Sequence, residues 1–319
     1  MKHKILALLL IIVLILPYTG LAKNEAEFNA QFAALKSPIE LMLSTKNANV
    51  RVGDAFYLPF IEERIIPTDE MHSYQSKYDG SATSDNTDVA QIDENGLITI
   101  IGNGVANIEY NTQILKLNVN EENQPFSIQN FIYLANYEYL SNQMQRMPKY
   151  NKYAKWYYKK KNEVGWCSVF ASYITNAAGL PTFKHDTIDL TALSENKVFG
   201  LLEGQVGSQW DGYKSVDRFT NIPKPGYLVI YGNRKNGYKH THIGIVVEAK
   251  ELENGNYLIR TVEGNMSNTV KSYIYIYDSN VSHPNANMSE TPEEFRENPL
   301  PQYTLHTNFW SVFGFCATW

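Results

Sequence analysis

The sequence predicts a multidomain chain in which an all-β sandwich is followed by an α+β domain built on an antiparallel sheet. From Val50 to about Asn120, short alternating apolar runs are separated by turn residues, the texture of half-buried strands. Past residue 126 the apolar spacing becomes helical, and past Ile243 it returns to alternation around an Asn254-Gly255 turn. A length of 319 residues suits about two domains, and a content of 44% hydrophobic and 13% aromatic residues is enough for real cores.

Residues 1–22 read as a secretory signal peptide: Lys2 and Lys4, an apolar run from Ile5 to Leu16, Pro17, and small residues at Gly20 and Ala22. The run falls short of the ~20 residues needed to span a bilayer, so the expectation is export, with cleavage after Ala22 and no stable membrane insertion afterwards. Residues 23–37 read as a leader helix. The formal net charge of −5 gives no reason to expect nucleic acid as a partner.

Residues 38–120 form the sandwich. Ile98 and Ile100, then Val105 and Ile108, mark antiparallel strands, with turns at Glu94-Asn95-Gly96 and Gly102-Asn103-Gly104. Residues 121–126, "EENQPF", are a polar linker with a proline, and residues 127–319 are the second domain. Phe131, Leu134, Ala135 and Leu140 predict a helix over 127–146, ending before Pro148. The stretch "KYNKYAKWYYKKKN" interleaves lysines with aromatics, as in either a solvated basic loop or a site for an anionic polymer such as the bacterial cell wall.

Only two cysteines occur, Cys167 and Cys316, too few to staple a small secreted scaffold, so stability has to come from packing. In "WCSVFASYITNAAGLP", apolar residues at 169, 170, 173 and 174 give a buried helix face, and Gly179 and Pro181 stop the helix. Cys167 therefore sits in the first turn, where the dipole and the unpaired N–H groups favour a thiolate and are placed to receive an oxyanion. The competing readings are a buried small hydrophobe or a Cys167–Cys316 disulfide.

A thiolate nucleophile needs a base. His242 precedes an apolar strand, and with a two-residue turn at Asn254-Gly255 it falls opposite Ser267. Period-two alternation then puts His242, Glu263 and Asn265 on one face, where either acceptor is able to orient the imidazole. His240 shares that face by the same rule, which raises zinc as an alternative. The paired ligand spacings of a structural zinc site are missing, and His240 is expected to be a solvent-exposed neighbour.

Two resemblances follow from these segments. "VGDAFYLPF" with "SATSDNTDVAQIDENGLITIIGNGVANIEYN" resembles the bacterial immunoglobulin-like domain of group 2, although "ERIIPTDEMHSYQSKYDG" is a long insertion between its first strands. "GWCSVFASY", "PKPGYLVIYG", "HTHIGIVVE" and "VEGN", in that order, resemble the CHAP domain, a papain-like cysteine amidohydrolase or peptidase of cell-wall hydrolases. That resemblance implies Cys167 as nucleophile, His242 as base, Glu263 as the residue orienting it and Asn265 as a further polar partner. Tyr227 replaces the family's aspartate, and the acidic calcium-binding run of some members is absent before Cys167, so no metal or cofactor is expected.

The expected function is hydrolysis of amide or peptide bonds in peptidoglycan by an exported cysteine enzyme, an N-acetylmuramoyl-L-alanine amidase or an endopeptidase. The alternative is a non-catalytic surface-binding or adhesion protein whose second domain is degenerate.

Overall fold

Ser37 opens a helix with a reciprocal cap. Its Oγ accepts from the Glu40 N–H at 3.1 Å, and the Glu40 carboxylate accepts from the Ser37 N–H at 2.7 Å. With Pro38 at the first helical position, this starts α1 (Pro38–Thr45). The computed structural model describes residues 30, 32–60, 78–142, 145–159, 165–188, 193, 198–233, 239–280, 303–305 and 310–319. The predicted signal peptide, most of the predicted leader helix, residues 63–77 of the insertion and Lys160 and Lys161 lie outside them.

Among the described residues, seven strands follow α1 up to residue 120: β1 (Asn47–Val50), β2 (Ala55–Tyr57), β3 (Thr83–Ser84), β4 (Ala90–Ile92), β5 (Leu97–Ile100), β6 (Gly104–Tyr110) and β7 (Gln113–Val119). They make a four-stranded sheet in the order β1-β7-β6-β3 and a three-stranded sheet in the order β2-β5-β4. Alternation explains their common core. Ile108, Leu115 and Leu117 from one sheet and Phe56, Ile98 and Ile100 from the other form one buried cluster, while the intervening side chains face out. The predicted Asn95-Gly96 turn is present, with Asp93 accepting from the N–H groups of Asn95 and Leu97, both at 2.8 Å. One expectation needs correction: the strands are not all antiparallel, since β1 runs parallel to β7. The chain goes through α1 into β1 with no hairpin to reverse it, which leaves the direction of β1 free.

The remaining described chain contains α2 (Phe126–Asn142), α3 (Lys152–Tyr158), α4 (Cys167–Ala177), β8 (Thr182–Phe183), a short 3-10 turn (His185–Thr187), β9 (Gly200–Leu201) and α5 (Val206–Ser215). After these come β10 (Phe219–Thr220), β11 (Leu228–Asn233), β12 (Lys239–Glu251), β13 (Tyr257–Glu263), β14 (Lys271–Tyr277), β15 (Tyr303–Leu305) and β16 (Trp310–Cys316). Helix α2 ends at Asn142, short of the expected limit at residue 146.

One seven-stranded sheet, in the order β10-β16-β11-β12-β13-β14-β15, is antiparallel except for the β14–β15 pair. One of its faces is covered by helices: Leu228, Ile230, Ile243 and Ile245 share a core with Phe131 of α2 and Val169, Phe170 and Ile174 of α4. Each such fully buried side chain contributes roughly 1.5–3 kcal/mol of burial free energy. The other face carries a second, aromatic cluster that includes Tyr231, Tyr273, Tyr275, Tyr277 and Phe315. The sheet curls around it, because Tyr277 at the end of β14 donates to the Asn221 carbonyl just past β10, at 2.9 Å. The chain is thus a mixture of helices and largely antiparallel sheets. Among the described residues no helix is long and apolar enough to cross a membrane.

Candidate active site

Cys167 is the first residue of α4, and the Trp166 side chain before it makes no capping hydrogen bond. The helix forms because Val169, Phe170 and Ile174 fall on one buried face, and it ends at Gly179, whose φ of +76° takes the chain out of the right-handed region. Two serines on its inner side fix its position. Ser168 Oγ donates to the Glu203 carbonyl at 2.7 Å, and Ser172 Oγ donates to the same carbonyl at 3.0 Å while accepting from the Glu203 N–H at 2.8 Å. Trp166 stacks on Tyr153 of α3, with ring centroids 5.3 Å apart.

The histidine arrives on β12. Its ring stacks on Tyr231, its register partner on β11, at a centroid distance of 5.8 Å. Between Tyr231 and Gly232 the β11–β12 register shifts, so that Gly232 pairs with His240. This bulge turns His240 to the other face, where it packs on Trp210 of α5 at 4.1 Å and on Phe313 at 4.9 Å. Two expectations are corrected here: His240 does not share a face with His242, and it is half-buried against an indole rather than standing free in solvent. The zinc alternative, which needed both histidines together, loses its geometry.

The β12–β13 register also differs from expectation. Glu251 pairs with Tyr257, leaving Leu252 to Asn256 in the turn, and a second irregularity between Val246 and Glu248 makes Ile245 pair with Val262. Continuing that register puts Gly244 opposite Glu263 and His242 opposite Asn265, not opposite Ser267. β13 nevertheless ends at Glu263, and Asn265 leaves the strand with a φ of +63°. Its Nδ2 lies beside Gly165, 3.4 Å from where a Cβ would stand there, at the entrance to α4. Gly264 between them lets the chain approach that helix, since a Cβ on it would stand 2.5 Å from the Phe170 Cβ.

It is therefore Glu263 that orients the imidazole, with His242 Nε2 2.8 Å from Glu263 Oε2. The Cys167 side chain is close enough to raise the pKa of the same histidine, and with Nε2 taken by the carboxylate, Nδ1 is left for the thiol. All three are buried: Cys167 is 8% exposed, His242 3% and Glu263 0%. Burial alone acts to lower the His242 pKa, but hydrogen bonds and negative charge from Cys167 and Glu263 outweigh it and raise it to about 10. The other carboxylate oxygen, Oε1, accepts from Tyr231 OH and from Thr261 Oγ1, both at 2.7 Å. Tyr231 OH in turn lies 3.0 Å from Tyr275 OH. Of the four expected site residues, Cys167, His242 and Glu263 come together in one line, and Asn265 stands near Gly165 at the entrance to α4.

Both cysteines are free, and burial pushes the Cys316 thiol well above its ordinary pKa, which leaves it an inert core residue. Tyr227, at the position where the resemblance implies an aspartate, donates to the Trp319 carbonyl at 3.0 Å and ties the C-terminus to the sheet. Among the described residues, His185, Asp186 and Glu203 bring ligand atoms within 4.8 Å of one another, but the Glu203 carboxylate already accepts from the His185 N–H at 2.8 Å.

Compared with known proteins, the chain matches no family model, and no curated protein or solved structure matches it significantly. The side chains of this site that the sequence did not announce are Tyr231, Thr261 and Tyr275. A signal was available for Thr261, a hydroxyl two residues before Glu263 and hence on its face, whereas Tyr231 and Tyr275 need the sheet order to be known.

Proposed function

We propose that this chain is an exported cysteine hydrolase acting on amide or peptide bonds of peptidoglycan, with a CHAP-like, papain-type catalytic domain preceded by a bacterial immunoglobulin-like module. The observation that carries the reading is the buried Cys167–His242–Glu263 line, with the cysteine at a helix N-terminus and the histidine fixed by a carboxylate. The segment resemblances supply the choice of substrate, and the apolar N-terminal run supplies the extracytoplasmic location.

In this mechanism the Cys167 thiolate attacks the carbonyl carbon of the scissile amide. The oxyanion is received at the first turn of α4, where backbone N–H groups point outward. The His242 imidazolium gives its proton to the leaving nitrogen, the C–N bond breaks and a thioester remains on Cys167. Neutral His242 then takes a proton from water, the hydroxide adds to the thioester, and collapse frees a carboxylate and restores the thiolate–imidazolium pair. Glu263 keeps the ring in place throughout, as the third member of a triad does. Asn265, beside Gly165, is placed to contact the substrate or the oxyanion.

The test is digestion of purified peptidoglycan by the secreted protein, with identification of the new termini. Free amines on stem peptides are expected with wild type and none with Cys167→Ala. Full hydrolysis by that variant would overturn the proposal.

A further inference from the structure

The buried carboxylate has more partners than the histidine. Glu263 is fully buried on the aromatic face of the sheet, and its Oε1 receives two hydroxyl protons, one from Tyr231 on β11 and one from Thr261 on β13. Tyr231 spends its proton on the carboxylate, so in its contact with Tyr275 on β14 it is the acceptor, and the three groups form the polarised chain Tyr275 to Tyr231 to Glu263. Burial and the neighbouring Glu263 charge keep the Tyr231 phenol protonated, hence always a donor. An oxygen that accepts two hydroxyl protons has no room for its own, and the remaining oxygen, Oε2, is aimed at His242 Nε2.

We propose that Tyr231 and Thr261, backed by Tyr275, are positioning residues that hold Glu263 as an anion with one oxygen directed at His242. This rests on the reading of Cys167 and His242 as a catalytic pair. The groups facing the carboxylate are His242 from β12, Tyr231 from β11, Thr261 on its own strand, and Tyr275 and the register partner Lys271 from β14. Cys167 of α4 lies beyond the histidine, with the Tyr158 phenol of α3 close enough to respond to its charge. Removing a hydroxyl leaves a buried carboxylate oxygen short of a donor, which favours the protonated acid. A neutral Glu263 no longer supports the imidazolium, and the imidazolium no longer supports the thiolate.

The experiment is the pH dependence of Cys167 alkylation by iodoacetamide, read by peptide mass in the intact protein, since Cys316 is fully buried. It needs no peptidoglycan. Wild type is expected to be alkylated at Cys167, and its rate against pH is the reference for the variants. In Tyr231→Phe, which keeps the ring on His242, the acid limb is expected to move up by about one pH unit, or about tenfold slower alkylation on that limb. Thr261→Val should shift it the same way, Thr261→Ser should restore it, and Tyr275→Phe should give a smaller shift of the same sign. An unmoved limb in Tyr231→Phe and Thr261→Val, where His242→Gln does slow the alkylation, would overturn this proposal and leave the catalytic pair standing. Alkylation that His242→Gln leaves unchanged would overturn both. Slowing by His242→Gln with the expected shifts, but no cleavage of peptidoglycan, would sink only the substrate.

Discussion

His242 and Glu263 meet on a diagonal of the β12–β13 ladder, 2.8 Å apart between Nε2 and Oε2, across a residue that has no side chain, Gly244. The residue that continues the ladder opposite His242 is Asn265, but β13 has ended by then, so the polar partner comes from one step back along the same face. Three consequences for variants and one for pH follow from this geometry and from the way α4 is held.

Glu263→Gln keeps the size of the side chain and removes its charge. The amide can still accept from one ring nitrogen, but it no longer stabilises an imidazolium inside the protein. The expected result is a loss of about 10²–10⁴-fold in kcat, as for the neutralised third member of a hydrolase triad. KM is expected to change little, and steady-state kinetics on a soluble muropeptide separates the two.

Gly244→Ala tests the diagonal itself. An added Cβ would stand 2.8 Å from Glu263 Cγ, closer than real Cβ contacts come, and a tight 3.1 Å from both Cδ and Oε1, and the carboxylate sits in a packed interior with little room to yield. Glu263 is expected to be pushed off His242, with a fall in kcat of about tenfold or more for a misplacement of this kind. Unchanged kinetics in a folded Gly244→Ala protein would show that the diagonal contact is not what orients the ring.

How far this site was legible in the sequence is seen in the same hairpin. The face shared by His242 and Glu263 was readable from period-two alternation, although the register was not. The turn takes Leu252 to Asn256 instead of two residues, and the irregularity between Val246 and Glu248 adds another step. Each step alone would have moved His242 to the wrong face; together they make an even shift and the face is preserved. At His240 a single bulge has no such compensation, and there the sequence reading of a shared face failed. Cys167 was readable because helix punctuation is local. Tyr231 and Tyr275 were not, because their nearness to Glu263 depends on which strands lie side by side.

Ser172→Ala addresses the seating of the cysteine helix. The Ser172 hydroxyl accepts from the Glu203 N–H and donates to the Glu203 carbonyl, with no exposure to water. Its removal leaves a buried N–H without that acceptor, at a cost of about 1–3 kcal/mol, measurable by urea unfolding. Ser168 still holds the same carbonyl, so α4 is expected to remain in place and kcat to fall less than in Gly244→Ala.

The pH dependence follows from His242, whose pKa is raised from 6.5 in the unfolded chain to about 10 by Cys167 and Glu263 against the opposing effect of burial. A group whose folded pKa lies above its unfolded value contributes stability that is complete below the unfolded pKa and is lost as pH rises through the folded one. The contribution of His242 is therefore expected to be full below pH 6.5 and gone above about 10. Urea unfolding of wild type against His242→Gln across that interval isolates it, since other titrating groups are common to both proteins. In the proposed mechanism the same proton is handed to the leaving nitrogen, so kcat/KM is expected to hold into the alkaline range and to fall through about pH 10. In Glu263→Gln that alkaline limb should move to lower pH, because one of the two anions holding the proton is gone. An alkaline limb that stays put in this variant would mean that Glu263 does not govern the charge of the imidazole.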